Sequence, residues 1–437
     1  MRQPDIFHEA FKERPYWWEA YAPEAPELAD VPATSEVAVI GAGYAGLATA
    51  LELAKLGLEA TVVDAAEPGY GASTRSGGLI GGSHSIKKPL VAKAPTAERA
   101  AEMMSDAADG FYLLEKLIEE ENIECGFHRT GRFTGAISTK HYRAQEKQCI
   151  AMNESSDAGA YMVPRERVRE EIGSDYYRGG LVATEAAHLH PALYYAGLKR
   201  AAEARGVRIC AKAGVTALDQ DASGWTLKTE RGTITARDVV VATNGYTGSL
   251  TPGFKRRLVP ISAYIIATEE LPADLLASIS PKNRSFVETL RIVPFFRLSP
   301  DGTRLIFGSR VKWRDLSAAE MAPLIFERAL ERFPELADYK ITHAWNGNVA
   351  LTIDEQPHLG KLEGLHYALG CNGSGVAQMT YMGTQLARKI AQVANYRCAF
   401  DTGAFPTHPL YTGNKTLLVP MVGNYLRFRD WWDRRSG

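Results

Sequence analysis

Apolar residues follow two rhythms along this chain, and the changes of rhythm mark its elements. From Glu36 to Ile40 four of five residues are apolar, a short buried strand, and Ala60 to Val63 repeats the pattern. Between them lie a GxGxxG turn at Gly41, Gly43 and Gly46, a helix from about Ala45, and Gly57 to stop it. Further on, Ala100, Met104, Ala107, Phe111, Leu114 and Ile118 recur at alternating steps of four and three, which predicts an amphipathic helix with a core-facing stripe. Pro191 opens another helix that Gly206 closes; strand Val207 to Cys210, a β-rich stretch to Arg237 and the buried strand Asp238 to Ala242 follow. Helices alternating with strands predict a parallel-sheet α/β layer.

From Leu258 to Phe307 the rhythm changes to β-type segments, SAYIIATEEL, RIVPFFRLSP and RLIFGS, with Asp301-Gly302 as a hairpin turn. A separate antiparallel sheet is expected there. A helix from about Ala318 to Phe333 ends at Pro334, Trp345 to Pro357 reads as irregular, and a last strand, His366 to Leu369, enters a second glycine-rich turn, GCNGSG. The helix after it carries Val376, Met379, Gly383, Leu386 and Ile390 on one face. Residues 1–35, broken by Pro15, Pro23, Pro26 and Pro32, read as an extended arm that docks through Trp17, Trp18 and Tyr21.

Composition narrows the class. A chain of 437 residues, 45% hydrophobic and 23% charged, can bury a large core. With 50 basic against 51 acidic residues there is no global field to recruit nucleic acid or an anionic membrane. The five cysteines, at 125, 149, 210, 371 and 398, have neither a disulfide framework nor zinc-ligand spacing, and a reducing cytoplasm is the expected compartment. The N-terminus lacks the apolar run of a signal peptide, and the longest uncharged run, Val37 to Leu51, is too short and glycine-rich to span a bilayer.

The glycines of the first turn divide the work among them. Gly41 permits the tight turn, Gly43 lets backbone approach a pyrophosphate, and Gly46 lets the helix pack close. The free N–H groups and positive end of that helix suit phosphate, and Asp64, closing the second strand, suits ribose hydroxyls. One nucleotide does not need two phosphate sites, yet Gly370, Gly373 and Gly375 build a second such turn. A flavin supplies the missing partner, because a helix N-terminus can stabilise the negative charge that reduction places around N1 and the C2 carbonyl. FAD is therefore expected over NAD.

The segments GYGASTRSGGLI (69–80), HLHP (188–191), VVVATNGYTG (239–248), WNGNVALTIDEQPHLG (345–360) and GCNGSGVAQMTYMG (370–383) occur in order and together resemble the FAD-dependent D-amino-acid oxidase superfamily of glycine and sarcosine oxidases. Within it they look most like the γ-glutamylputrescine oxidase branch. The expected fold is α/β: a Rossmann-like FAD-binding domain with a parallel sheet (36–90, 155–255 and 340–398) interleaved with an α+β substrate domain carrying a mainly antiparallel sheet (91–154 and 256–339), plus a C-terminal extension (399–437). The resemblance implies that Gly41, Ala42, Gly43, Tyr44, Ala45 and Gly46 hold the pyrophosphate and Asp64, with Ala65, the adenosine ribose. Ala72, Ser73, Arg75, Ser76, Gly77, Gly78 and Leu79 would lie along the flavin, with Ser76 in place of the usual Asn; Arg75 suits pyrophosphate or flavin contacts. The backbone of Val215 would meet adenine, and Gly347, Gly373, Ser374, Gly375 and Val376 would face the flavin, held non-covalently, with Cys371 as a small buried residue.

Enzymes of this family oxidise a carbon–nitrogen bond by transferring a hydride equivalent to flavin N5, and the imine hydrolyses in water; the cofactor carries the hard chemistry, so no dyad or triad is required. His84, Tyr264, Arg297 and Trp345 are candidates for the substrate pocket, against plain roles as loop residue, core aromatics and surface cation. The superfamily's α-amino-acid oxidases commonly place an arginine two or three residues before a Thr-x-Asp segment, where its fork grips the substrate carboxylate. Here Asn348, Val349, Ala350 and Leu351 precede Thr352-Ile353-Asp354, so the clamp is absent. The expected substrate is a primary or secondary amine, γ-glutamylated or similarly acylated diamine first, whose remote carboxylate Arg291 or Arg297 would bind. Electrons would pass to oxygen, giving peroxide; the alternatives are a dehydrogenase serving a quinone or other acceptor, an RNA-related or non-catalytic flavoprotein, and an NAD dehydrogenase.

Overall fold

The computed structural model describes residues 6–24, 28–82, 85, 96–155 and 158–435. Its nucleotide layer is an eight-stranded sheet in which Arg208–Cys210, Ala60–Val63, Thr34–Ile40, Gly232–Val241 and Leu365–Leu369 run parallel in that order. Val37, Val39, Val62 and Val240 are fully buried, as continuous apolar strands covered on both faces must be. The expected β-rich stretch is a meander, Val215–Asp221, Gly224–Thr229 and Gly232–Val241, whose last strand bends into the parallel layer. His358–Leu362 extends the other side by pairing with Leu365–Leu369.

Two helices that follow glycine turns, Tyr44–Lys55 and Gly375–Ile390, pack against each other. They touch closely because a Cβ on Gly383 would run into the carbonyl of Ala45. Thr49 ties the pair, its hydroxyl lying 2.8 Å from Ala45 O and 3.0 Å from Gly383 O. Helix Ala97–Glu120 covers them from outside; its buried stripe is Met103, Ala107, Phe111, Leu114 and Leu117, while Met104 and Ile118 are only half-buried.

The second layer is a nine-stranded, mainly antiparallel sheet in the order Phe7–Lys12, Ile341–Thr352, Leu258–Thr268, Leu305–Ser309, Phe295–Leu298, Ser285–Glu288, Arg132–Gly135, Gly179–Ala183, Tyr161–Pro164. Asp301-Gly302 forms the expected hairpin turn, with Gly302 at φ 70° and Leu298 paired to Leu305. Helix Ala318–Leu330, opened by a Ser317/Glu320 capping box, packs behind the sheet. Three expectations are corrected. Residues 341–352, read as irregular from Trp345 onward, form one strand paired along Leu258–Thr268; the Asn346-Gly347-Asn348 run that looks like a turn is held flat by its partner. Residues 161–164, 179–183 and 341–352, grouped with the nucleotide domain, lie in the nine-stranded sheet instead, so the chain crosses between layers within those segments. The arm is extended and packed as expected, but it joins the sheet as an edge strand, Phe7–Lys12, and its docking tryptophans sit on a short 3₁₀ turn, Tyr16–Glu19.

Candidate functional site

The first glycine turn is built by sterics. Gly41 sits at φ 106°, where its missing side chain would lie 2.9 Å from Ala242 O; a Cβ on Gly46 would strike Gly41 O. Gly43 faces open space apart from the Ser73 hydroxyl, which accepts the Tyr44 N–H at 3.1 Å. The remaining first-turn N–H groups have no partner within the helix and point where a phosphate would sit. Asp64 accepts the N–H groups of Ala42 at 2.8 Å and Ala66 at 2.9 Å, so it braces the turn while each oxygen keeps a lone pair for a hydroxyl. Burial raises its pKa, opposed by those two backbone donors.

The second turn is held by one side chain from a distant 3₁₀ turn and one of its own. Asn244, left-handed at φ 43°, accepts the N–H groups of Gly370 at 3.1 Å and Cys371 at 3.4 Å. Asn372, also left-handed, accepts the Thr352 N–H at 3.0 Å and donates to Gly370 O at 2.9 Å. Ser374 makes no capping hydrogen bond, and Gly373 at φ 90° has open space where a side chain would go, so the N-terminus of helix Gly375–Ile390 is left bare.

One cavity of about 660 Å³ joins the two turns. Asp64, Ala65, Ala66, Gly214, Val215, Thr216 and Glu230 line one part; Ser76, Gly245, Tyr246, Asn348, Val349, Cys371, Gly373, Gly375, Val376 and Met379 line another. Gly41 to Ala45, Ala72 and Ser73 lie along the same wall. An extended dinucleotide with a ring system at its far end fits this shape and donor set: two bare helix N-termini, a ribose-accepting carboxylate and an apolar slot. The motif VVVATNGYTG held the signal for Thr243 to Tyr246, which belong to the wall although none was expected as a contact.

Other expected contacts are placed elsewhere. Gly46, Gly77, Gly78, Leu79, Gly347 and Ser374 support the wall without lining it; Gly77 backs onto Phe295, Gly78 onto Leu189 O and Gly347 onto Arg75. Arg75 does not line the cavity: its guanidinium donates to Tyr70 O at 2.7 Å and Asn346 O at 3.1 Å, between the rings of Trp18 and Tyr70. Three indole N–H groups fix this loop, Trp18 to Thr74 Oγ1 at 2.9 Å, Trp345 to Arg75 O at 2.8 Å and Trp17 to Ser76 O at 2.8 Å. Trp345 is therefore a buried brace of the 69–80 loop and does not line the cavity. Tyr264 lies on the opposite face of its strand from Ile265, inside the core under helix Ala318–Leu330, with its hydroxyl on Leu316 O at 2.9 Å.

Arg297 is fully buried, has no hydrogen-bond partner on any of its three nitrogens, and rests on the Trp17 ring at 5.2 Å. Burial lowers its pKa to about 9. The same burial, with the charge of Arg297, pushes His188 down to about 3 and His190 to about 4, so both are neutral at ordinary pH. Neutral His190 then accepts the Leu193 N–H at 3.2 Å and caps helix Pro191–Glu203. Arg291 is committed to Asp430 at 3.1 Å and Asp433 at 2.7 Å. Neither arginine lines the cavity: one is sealed in the core and the other is held by two carboxylates. His84 lies outside the described residues.

A parallel nucleotide sheet, two helix N-termini on one cavity and strand residues Asn348 and Val349 of the antiparallel sheet in its wall are the features of a flavin-dependent oxidoreductase. Residues 36–389 match the family model described as DAO, FAD dependent oxidoreductase. The chain belongs to this family, and its cofactor is FAD. It is 30% identical over 402 residues to gamma-glutamylputrescine oxidoreductase of Escherichia coli (strain K12), covering 91% of this chain and 93% of that protein. It is 31% identical over 423 residues to "Probable oxidoreductase OrdL" of Rhizobium meliloti (strain 1021), covering 95% and 97%. Its fold matches glycine oxidase from Geobacillus kaustophilus with a TM-score of 0.72 at 18% identity, over 86% of this chain and 99% of that one. Among the described residues no helix is long and apolar enough to cross a membrane.

Proposed function

We propose that this protein oxidises the carbon–nitrogen bond of an amine whose reacting carbon bears no carboxylate, with an acylated diamine of the γ-glutamylputrescine type as its leading substrate. The observation that carries the reading is Val349. With Ala350 it is one of the two positions where the family's arginine would stand, and it lines the cavity with an apolar side chain. Among the described lining residues there is no Arg, Lys or His, and the charged ones are Asp64 and Glu230. A carboxylate next to the reacting carbon would be desolvated there without a partner, which costs several kcal/mol in general terms, about 3 or more. The name of the relative from Escherichia coli supports the substrate class.

Bound FAD supplies the two-electron acceptor at its N5. The chain's part is to hold the amine neutral and oriented. Val349, Val376 and Met379 make a slot of low polarity, which disfavours the protonated ammonium form. Tyr246 and Asn348 offer the hydrogen-bonding groups beside it: the Tyr246 hydroxyl accepts the Asn348 N–H at 3.4 Å, and the Asn348 amide donates to Gly245 O at 3.3 Å. The imine leaves for hydrolysis in water, and oxygen takes the electrons as peroxide. An anaerobic screen of amines, γ-glutamyl amines and α-amino acids, read as flavin bleaching, tests the substrate class; bleaching by α-amino acids alone overturns it. Peroxide release under air tests the acceptor, and turnover with a dye but not with oxygen reassigns the enzyme as a dehydrogenase.

A further inference from the structure

The helix Lys415–Arg435 is arranged against the usual rule for a surface helix. Its two carboxylates, Asp430 and Asp433, are turned inward at 5% and 2% exposure. There they hold Arg291, and Asp433 also meets Lys140 at 3.2 Å. Gly423 packs on the Trp313 ring and Val419 is buried, which fixes the inward face. The outward face is apolar: Met421, Val422, Tyr425, Phe428, Trp431 and Trp432 are 45% to 69% exposed. At 3.6 residues per turn, Met421, Tyr425, Phe428 and Trp432 fall within about 60° of one another.

Because both acids are buried, the charged groups that flank this face among the described side chains of the helix are Arg427, which is exposed, and Arg429, half-buried with its guanidinium donating to the Tyr425 hydroxyl at 2.9 Å. Lys312 and Arg314 are exposed on either side of Trp313, so the neighbouring loop adds basic charge, while Asp315 there is taken by Lys415 at 2.7 Å. We infer that this face docks on an anionic lipid surface, lying in the interface with its aromatic side chains among the acyl-chain boundary and its arginines at the headgroups. Aromatic and aliphatic residues flanked by basic ones are what such a surface selects. A near-zero net charge for the whole chain does not oppose this, since the basic rim is local and fields decay within about 10 Å at 0.1 M salt.

The test uses the FAD-loaded full chain and phosphatidylcholine vesicles with and without phosphatidylglycerol, read by co-sedimentation. Binding is expected only with phosphatidylglycerol and is expected to weaken with salt. The pair Met421→Ser and Phe428→Ser should weaken it about tenfold, and Arg427→Glu alone about fivefold or more. Retention of flavin absorbance shows that each variant is folded. Three results overturn the inference: no binding at either composition, binding unchanged in both variants, or a concentration-dependent dimer that Met421→Ser/Phe428→Ser abolishes while vesicles are ignored.

Discussion

The two glycine turns share one plan, strand, turn and bare helix N-terminus, yet they are held in opposite ways. The first is self-contained: Gly41 and Gly46 fit because neither carries a Cβ, and Asp64, at the end of the adjacent strand, ties the loop back. The second depends on distant groups, the Asn244 side chain from the 3₁₀ turn after strand Gly232–Val241 and, through its own Asn372, the backbone of Thr352 in strand Ile341–Thr352. Each half of the cofactor site therefore takes its rigidity from a different source. The first turn is braced by local backbone, whereas the second is tied through Thr352 to the nine-stranded sheet.

Gly46→Ala breaks the comparison most severely. Its methyl group would collide with Gly41 O, and the purified protein should carry no flavin absorbance; normal flavin content would show that the turn can open. Asn244→Ala should spare the first turn and loosen the second, leaving two backbone donors without their acceptor at a cost of about 2 kcal/mol. Flavin content measured after denaturation should fall only partly while the melting temperature drops; an unchanged melting temperature would contradict the tie.

Arg297→Met removes an unpaired buried cation behind the flavin-side loop. It should be neutral or raise stability by about 1 kcal/mol with KM unchanged. A raised KM would mean that Arg297 reaches substrate after all. The smallest effect is in acid. His190 is held at about 4 by burial and the Arg297 charge, so its contribution to stability is complete above its usual 6.5 and is lost as pH falls toward 4. Burial raises Glu19, but hydrogen bonds from Arg14, Lys12 and His343 outweigh it and hold Glu19 at about 2; its contribution is present above 4.5 and fades as pH falls toward 2. Thermal melts from neutral pH downward should therefore show falling stability in these two ranges, and Glu19→Gln should flatten only the lower one.

Legibility in the sequence followed the same division. The first turn could be read almost residue by residue, because its constraints lie within about thirty positions of chain. The second turn was recognisable from its glycines, but its restraints were not, since nothing in Asn244 reports a partner 126 positions away. Tyr264 misled because a period of two does not say which face of a two-sided buried strand meets the cofactor layer. Arg297 misled in another way: an arginine in a strand reads as a surface or ligand residue, and only packing reveals it sealed over Trp17. The absence of an arginine from Asn348 to Leu351 was legible in the sequence, whereas only the structure shows that Val349 of that run lines the cavity and Ala350 is buried.

Selection of amines over α-amino acids by this apolar wall is tested most directly by kcat/KM measured side by side on the FAD-loaded protein for γ-glutamylputrescine, simple diamines and α-amino acids. A preference for amines of about 100-fold or more is predicted. Equal or better turnover of an α-amino acid would contradict it.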